Sequence, residues 1–213
     1  MVKKICSVPI TDEQEQIILG TVLGDAYISK FPNRTHSNLL IAHSTKDEDY
    51  LKWKHEKLES ICSEKSVYIR NNSGYGLGHK LIWLRTRVHP FITNLRNIFY
   101  PNGEKIVPEE ELYKLDELGL AVWFMDDGTL SVRDVGSPRY ILSTYGFSLG
   151  EHKMMRDYFS DRWGVTPSII KRNYKNKPTK HFLSFGVDDT QKLGDIMRPF
   201  ILDCMSRKRM EMS

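Results

Sequence analysis

Cysteine is scarce in this sequence of 213 residues, which contains only Cys6, Cys62 and Cys204. Their number is odd and their spacing is wide, unlike the closely spaced ligands of a zinc site or the paired cysteines of a small secreted domain. The three cysteines therefore indicate ordinary thiols in a reducing, intracellular environment. The composition does not indicate the compartment or the organism in which the protein occurs.

Long apolar runs are also absent. The longest run is far shorter than the roughly 20 residues that a membrane-spanning helix needs. The N-terminal segment MVKKICSVPITDE has only a brief apolar stretch, too short for a secretory signal. We therefore expect no membrane among the partners of this protein.

A strong excess of positive or negative charge is also absent, because the net charge is only +4. The distribution of the basic residues along the sequence is more informative than the net charge. Basic residues alternate with aromatic and amide residues in three segments, SEKSVYIRNNSGYGLGHK, SIIKRNYKNKPTKH and the C-terminal SRKRM. Such segments could follow a phosphate backbone or could be solvated loops.

Two apolar stretches of helical character end in acids. The first is IILGTVLGDA at residues 17–26, and the second is LGLAVWFMDDGTL at residues 118–130. A carboxylate at the C-terminal end of a helix is unfavourable because that end carries partial negative charge. A bound cation would compensate for it. A single apolar helical run that ends in an acid is commonly just a helix followed by a turn. Two such acids at equivalent positions of a repeated sequence favour a functional role for them.

The two stretches belong to a tandem repeat with an offset of 100 to 102 residues. Each half has the predicted order helix, strand, strand, helix, strand, strand, helix. We assign residues 1–100 to the first half, 101–114 to a linker and 115–213 to the second half. The sequence therefore predicts an α+β fold of two pseudo-symmetric αββαββα halves with antiparallel sheets.

The two acid-ended helices are expected to pack against each other at the centre of the molecule. Gly20 and Gly24 lie four residues apart, on one helix face that another backbone can approach closely. Such packing would bring Asp25 and Asp127 together. Two adjacent carboxylates repel each other unless cations lie between them, and shared divalent cations can clamp a phosphodiester.

At this point the sequence resembles the LAGLIDADG homing endonucleases. ILGTVLGDA at 18–26 and LAVWFMDDG at 120–128 both match the nine-residue motif of that family. The resemblance implies that the two sheets form a saddle over DNA, with the motif helices paired at the centre. It also implies a site-specific endonuclease that cuts both strands of a long asymmetric DNA target and leaves 3′ overhangs.

The resemblance also implies the residues of the active site. Asp25 and Asp127 would bind the metal ions, assisted by the main-chain carbonyls of Gly24 and Asp126. Lys105 and Lys208 match the basic residues near the water network that feeds the scissile phosphates. The expected cofactor is Mg²⁺, with Mn²⁺ as a substitute and Ca²⁺ supporting binding without cleavage.

One departure from the family concerns a strand position that carries Gln in many relatives. This chain has His43 and Tyr145 there, and their roles stay open. Strands present alternate side chains to one face, and a two-stranded ribbon fits the major groove of DNA. The candidate DNA contacts are Ser29, Lys30, Arg34, Arg70, Asn72, Lys80, Arg85, Ser131, Arg133, Arg139, Lys171, Arg172, Asn173 and Lys180.

The first hypothesis is thus a monomeric, metal-dependent DNA endonuclease without an obligatory protein partner. An RNA-splicing maturase, which would add host intron RNA as a partner, or a non-cleaving DNA-binding protein on the same scaffold is the alternative. A glycosidase-like use of the paired carboxylates has little support, because the repeat and the basic segments favour nucleic acid. The sequence of the DNA target is not predicted.

Overall fold

In the computed structural model, which describes residues 5–30, 36–71, 80–132, 137–175 and 177–210, the chain divides into two units. Unit 1 comprises residues 1–104 and unit 2 comprises residues 105–213. Among the described residues, no helix is both long enough and apolar enough to cross a membrane.

Unit 1 contains the predicted order of elements. They are α1 (Asp12–Leu23), β1 (Tyr27–Ser29), β2 (Asn38–Ser44), α2 (Glu48–Lys57), β3 (Cys62–Asn71), β4 (Lys80–Thr86) and α3 (Pro90–Phe99). The four strands pair antiparallel in the order β1-β2-β4-β3. Thr11 begins the first helix through a capping box with Gln14, as the sequence predicts.

Unit 2 repeats this order after one short additional helix. Its elements are α4 (Glu109–Tyr113), α5 (Glu117–Asp127), β5 (Gly128–Ser131), β6 (Arg139–Leu142), α6 (Leu149–Trp163), β7 (Ser168–Tyr174), β8 (Lys177–Ser184) and α7 (Val187–Met197), followed by a 3₁₀ segment (Asp203–Lys208). The strand order is β5-β6-β8-β7, again antiparallel. The predicted α+β class with two antiparallel sheets is therefore confirmed.

Two helices end earlier than the sequence pattern predicts. Helix α1 stops at Leu23 because Gly24 is its C-cap residue, so Asp25 lies beyond the helix. For the last helix, the sequence pattern predicts an end at about residue 202, but α7 stops at Met197. Pro199 follows closely, and proline cannot continue a helix because it lacks an N–H donor.

Helix α4 lies within the range that the sequence assigns to a linker, residues 101–114. Leu112 is fully buried, and the hydroxyl of Tyr113 donates to Asp161 Oδ2 at 2.9 Å. These contacts attach α4 to helix α6 of unit 2. The assignment of the whole range to a linker stays a prediction.

The core of unit 2 forms around Phe159, which is fully buried on helix α6. Its ring centroid lies 4.9 Å from that of Phe185, 5.2 Å from Tyr158, 6.0 Å from Trp123 and 6.4 Å from Phe124. Two of these rings, Trp123 and Phe124, belong to α5. Aromatic packing on Phe159 therefore fixes the second motif helix against the rest of the unit.

Replacing Phe159 with alanine should remove these ring contacts and leave a cavity. We expect Phe159→Ala to lower the free energy of unfolding by about 3 to 5 kcal/mol, measured by urea denaturation. The control is Val132→Ala, because Val132 is 68% exposed and its truncation should cost less than about 0.5 kcal/mol. Equal losses in the two variants would contradict this description of the core.

Candidate active site and nucleic-acid interface

The first motif ends in a turn that releases Asp25 from the helix. The N–H of Gly24 donates to the carbonyl of Gly20 at 3.1 Å, and the N–H of Ala26 donates to the carbonyl of Thr21 at 2.8 Å. The side chain of Asp25 is 38% exposed. A carboxylate is thus presented at the negative end of α1 and remains accessible to a ligand.

His43 lies directly beside this carboxylate. Its side chain points from β2 to the buried side of the sheet, and Nδ1 lies 3.2 Å from Asp25 Oδ2. On the other side of the imidazole, Nε2 lies 3.3 Å from Nζ of Lys54, a fully buried lysine on α2. The ring of Tyr50 packs on the imidazole, with 5.0 Å between centroids.

Sequence reasoning left the role of His43 open and missed Lys54 altogether. Helix α2 carries several lysines among its charged residues, and nothing in their spacing distinguishes the one that is buried. Only the packing of α2 on β2 brings this lysine to the histidine. The geometry places both residues in the surroundings of Asp25.

The second motif ends differently, because Asp126 and Asp127 are the last two residues of α5. Gly128 follows as the C-cap, and a Cβ atom there would lie 2.5 Å from the main-chain oxygen of Phe124. Only glycine fits so close to the helix. The carbonyl of Asp127 accepts a hydrogen bond from the N–H of Ser143 at 3.0 Å, which ties the motif to the end of β6.

Lys208 lies at this helix end. Its ammonium donates to the main-chain carbonyls of Met125 and Asp126, with 2.9 Å to the latter. The carbonyl of Lys208 itself accepts from the hydroxyl of Tyr140 at 2.9 Å. Because the C-terminal end of a helix attracts cations, Lys208 stabilises α5 where the acids are located. Its catalytic role stays a prediction.

Lys105 begins unit 2. Its ammonium lies 5.9 Å from the ring centroid of Phe147, in the turn that precedes α6. The nearby N–H of Val107 donates to Glu151 Oε1 at 2.8 Å, which fixes the chain there. The role of Lys105 at the scissile phosphates likewise stays a prediction.

The strand registers correct one pairing made from the sequence. Tyr27 pairs with Leu40 in unit 1, whereas Thr129 pairs with Ile141 in unit 2. The offset between the halves is therefore 102 at the first strand and 101 at the second, because the connection between the strands is one residue shorter in unit 2. The counterpart of His43 is consequently Thr144 and not Tyr145.

Thr144 contacts a buried histidine of its own. His152 is fully buried, its Nδ1 lies 2.7 Å from the carbonyl of Ser148, and its Nε2 lies 2.9 Å from the Thr144 hydroxyl. A carbonyl only accepts, so Nδ1 carries the hydrogen and Nε2 accepts from the threonine. Burial lowers the pKa of His152 from its ordinary value.

The predicted DNA contacts of unit 1 fall on different faces of its sheet. Arg70 and Arg85 share the outer face with Tyr68, whose ring centroid lies 4.9 and 6.0 Å from the two guanidinium carbons. The ring of Trp83 stacks on Tyr68. The register places Lys80 on the opposite face from Arg70. We name the group of Tyr68, Trp83, Arg70 and Arg85 the Tyr68 cluster.

Two further candidates of unit 1 lie on or next to β1. Ser29 is buried and donates to the side chain of Asn38, so its hydroxyl is used within the sheet. Lys30 follows it and is exposed.

In unit 2, strand alternation again separates the candidates. Arg172 and Lys180 pair across β7 and β8 on the outer face, and Arg172 donates to the hydroxyl of Tyr145 at 3.2 Å. Lys171 points to the opposite face. On the outer face of the neighbouring strands, Ser131 pairs with Arg139.

One predicted DNA contact of unit 2 remains among the described residues, and three predicted contacts of the two units lie outside them. The side chain of Asn173 accepts from Thr179 at 3.1 Å. Three predicted contacts, Arg34, Asn72 and Arg133, lie outside the described residues.

The donors at both motif ends fit a hard divalent cation. Asp25 and Asp127 would supply carboxylate oxygens, and the carbonyl of Asp126 faces a positive charge, the ammonium of Lys208. Oxygen ligands of this kind suit Mg²⁺, Mn²⁺ and Ca²⁺.

Comparison with known proteins identifies relatives over nearly the whole chain. The profile of the LAGLIDADG DNA endonuclease family matches residues 15–193. Protein RecA of Mycolicibacterium flavescens is 29% identical over 211 residues, which cover 93% of this chain and 47% of the relative. The chain thus spans about half the length of that protein. The probable intron-encoded endonuclease 1 of Wickerhamomyces canadensis is 29% identical, with coverage of 92% and 83%.

Solved structures are similar as well. The homing endonuclease I-WcaI bound to its DNA recognition sequence superposes with a TM-score of 0.78 at 25% identity, covering 95% of this chain and 88% of that one. A structure of I-DmoI with its target DNA gives a TM-score of 0.51 at 12% identity, covering 89% and 98%, which is a likeness of fold alone.

The buried histidine of unit 2 should make stability depend on pH. Below about pH 6.5, the ordinary histidine value, the unfolded chain binds a proton at His152 that the folded chain resists, so the free energy of unfolding falls as pH is lowered. We expect His152→Gln to abolish the part of the decrease in the free energy of unfolding that is caused by proton binding at His152. Urea denaturation between about pH 5 and 7 should show the stability difference between wild type and variant shrinking toward low pH. A constant difference would contradict the assignment.

Proposed function

Because the chain belongs to the LAGLIDADG DNA endonuclease family, we propose that it cuts both strands of a long asymmetric DNA target and leaves 3′ overhangs. The observation that carries this proposal is that both motifs keep their acid. Asp25 follows α1 and Asp127 ends α5. A member used only for binding would have no need to retain a carboxylate at either unfavourable helix end.

The proposed cofactor is Mg²⁺, held by Asp25 and Asp127 with help from the main-chain carbonyls of Gly24 and Asp126. When bound, such an ion polarises a phosphoryl oxygen and activates water for attack on phosphorus. Mn²⁺ should replace Mg²⁺, and Ca²⁺ should support binding only. Lys208 holds the end of α5 in place through two carbonyls, which keeps the second acid oriented.

DNA would bind along the outer faces of the two sheets. In unit 1 the Tyr68 cluster offers two arginines whose positions are restricted by an aromatic ring. In unit 2 Arg172 and Lys180 occupy the outer face. The two units differ at these positions, which suits an asymmetric target and a single chain that acts as a monomer.

The decisive experiment measures cutting and binding for two single variants. A target is first selected from a randomised DNA library by cleavage with the wild-type protein and Mg²⁺. Asp25→Asn and Asp127→Asn should each reduce the rate of cutting by more than about 100-fold, because changes that only support a metal ligand already cost about 10- to 100-fold. Affinity for the target, measured with Ca²⁺, should stay within a few-fold of wild type.

The matched controls are Asp49→Asn in unit 1 and Asp157→Asn in unit 2, two carboxylates whose side chains are 77% and 64% exposed. Both should cut like the wild type. If neither Asp25→Asn nor Asp127→Asn slows cutting, the metal assignment is wrong. If the wild type binds DNA or splices its host RNA but never cuts, the nuclease proposal fails and the maturase alternative replaces it.

The Tyr68 cluster leads to a second prediction. Arg70→Ala and Arg85→Ala should each weaken DNA binding, and the slope of log affinity against log salt should become smaller by about one for each phosphate that is no longer neutralised. The control is Lys52→Ala, on the exposed surface of α2. Titrations over a series of salt concentrations measure the slope, and unchanged slopes in both arginine variants would refute the assigned face.

A further inference from the structure

Three side chains in unit 1 form a continuous series of contacts from the protein interior to the first motif acid. Lys54 Nζ lies 3.3 Å from His43 Nε2, and His43 Nδ1 lies 3.2 Å from Asp25 Oδ2. Exposure rises along the series, since Lys54 is fully buried, the His43 side chain is 5% exposed and that of Asp25 is 38% exposed. The acid is thus connected to a buried lysine through one imidazole.

The burial of Lys54 is unusual, because lysine is almost never fully buried unless its ammonium is paired. The ammonium lies 4.3 Å from the ring centroid of Tyr50, a cation–π distance. The same tyrosine packs on His43 with 5.0 Å between ring centroids. Tyr50 therefore packs against both members of the pair and restricts their relative position.

The chemistry of the groups sets the direction of the hydrogen bonds. An ammonium has three donors and no acceptor, so His43 Nε2 accepts from Lys54. In a neutral imidazole the single hydrogen is then on Nδ1, which donates to the Asp25 carboxylate. A histidine held in this way orients an adjacent carboxylate, as supporting residues commonly do around metal ligands.

We propose that Lys54 is a positioning residue of the active site, which holds His43 in the orientation that donates to Asp25 and so fixes the direction of this carboxylate. This role rests on the proposed function. In this role Lys54 acts through His43, and His43 is a donor to the carboxylate.

Unit 2 carries a different residue at the position of Lys54. Helices α2 and α6 begin after Asp47 and Ser148, so the offset between them is 101. Lys54 then corresponds to Met155, which is also fully buried. Methionine is thus compatible with this location in the fold, and Lys54→Met removes the donor while it keeps the length of the side chain.

The first test uses wild-type protein without metal or DNA. Nitrogen-15 NMR at mildly alkaline pH distinguishes a protonated ring nitrogen from an unprotonated one, and His43→Gln assigns the signals of His43. We expect a hydrogen on Nδ1 and none on Nε2. A hydrogen on Nε2 would overturn the proposal, because Lys54 could not then be the donor.

The second test is a double-mutant cycle on the rate of cutting. Lys54→Met should lower the rate about 10- to 100-fold while the affinity for target DNA in Ca²⁺ stays unchanged. In the background of His43→Gln, the same change should have no further effect, because the residue through which Lys54 acts is gone. Additive losses would show a general structural role and would overturn the proposal.

Lys52→Met is the matched control, because Lys52 lies on the same helix with a side chain that is 56% exposed. It should cut like the wild type, and equal loss in both lysine variants would overturn the specific role of Lys54. If Lys54→Met does not fold, the nitrogen-15 spectrum of the wild-type protein still tests the proposal, because it shows which ring nitrogen of His43 carries the hydrogen. If the wild type never cuts DNA, the proposed function fails, whereas the nitrogen signals continue to test the positioning of Asp25.

Discussion

Each motif helix has a carboxylate at its C-terminal end, where negative charge is unfavourable. The two units compensate for this charge with different residues. In unit 1 a glycine cap ends α1 early, and His43 lies 3.2 Å from the acid. In unit 2 the acids remain on α5, and the ammonium of Lys208 binds carbonyls of its last turn. Both units therefore keep a carboxylate that lowers the stability of its helix, and such a departure from the local rules is expected at a functional site.

Much of this follows from the sequence alone. The repeat, the capping box of Thr11, the two antiparallel sheets and the LAGLIDADG family were all predicted and are confirmed. They are local or periodic features, and local patterns are what a sequence displays directly. The resemblance predicts that Lys208 lies near the water network of the scissile phosphates, and this role stays a prediction. Its contacts with the carbonyls at the end of α5 are known only from the structure.

The remaining features depend on packing and register, which no local pattern reveals. Lys54 looks like any helical lysine until α2 covers the sheet. Tyr145 corresponds to His43 at an offset of 102 residues, whereas one residue fewer between two strands gives an offset of 101 and makes Thr144 the counterpart. Strand alternation also separates Arg70 from Lys80 and Arg172 from Lys171, although each pair belongs to one basic segment.

The proposed role of the motif acids, as ligands of the divalent ions used for cutting, can be observed in a crystal. The measurement is anomalous X-ray scattering from Mn²⁺ in crystals of the protein with an uncleavable form of its selected target. We expect anomalous density within bonding distance of the carboxylates of Asp25 and Asp127. Density that contacts neither carboxylate, while the DNA is bound and the ions are present, would contradict it.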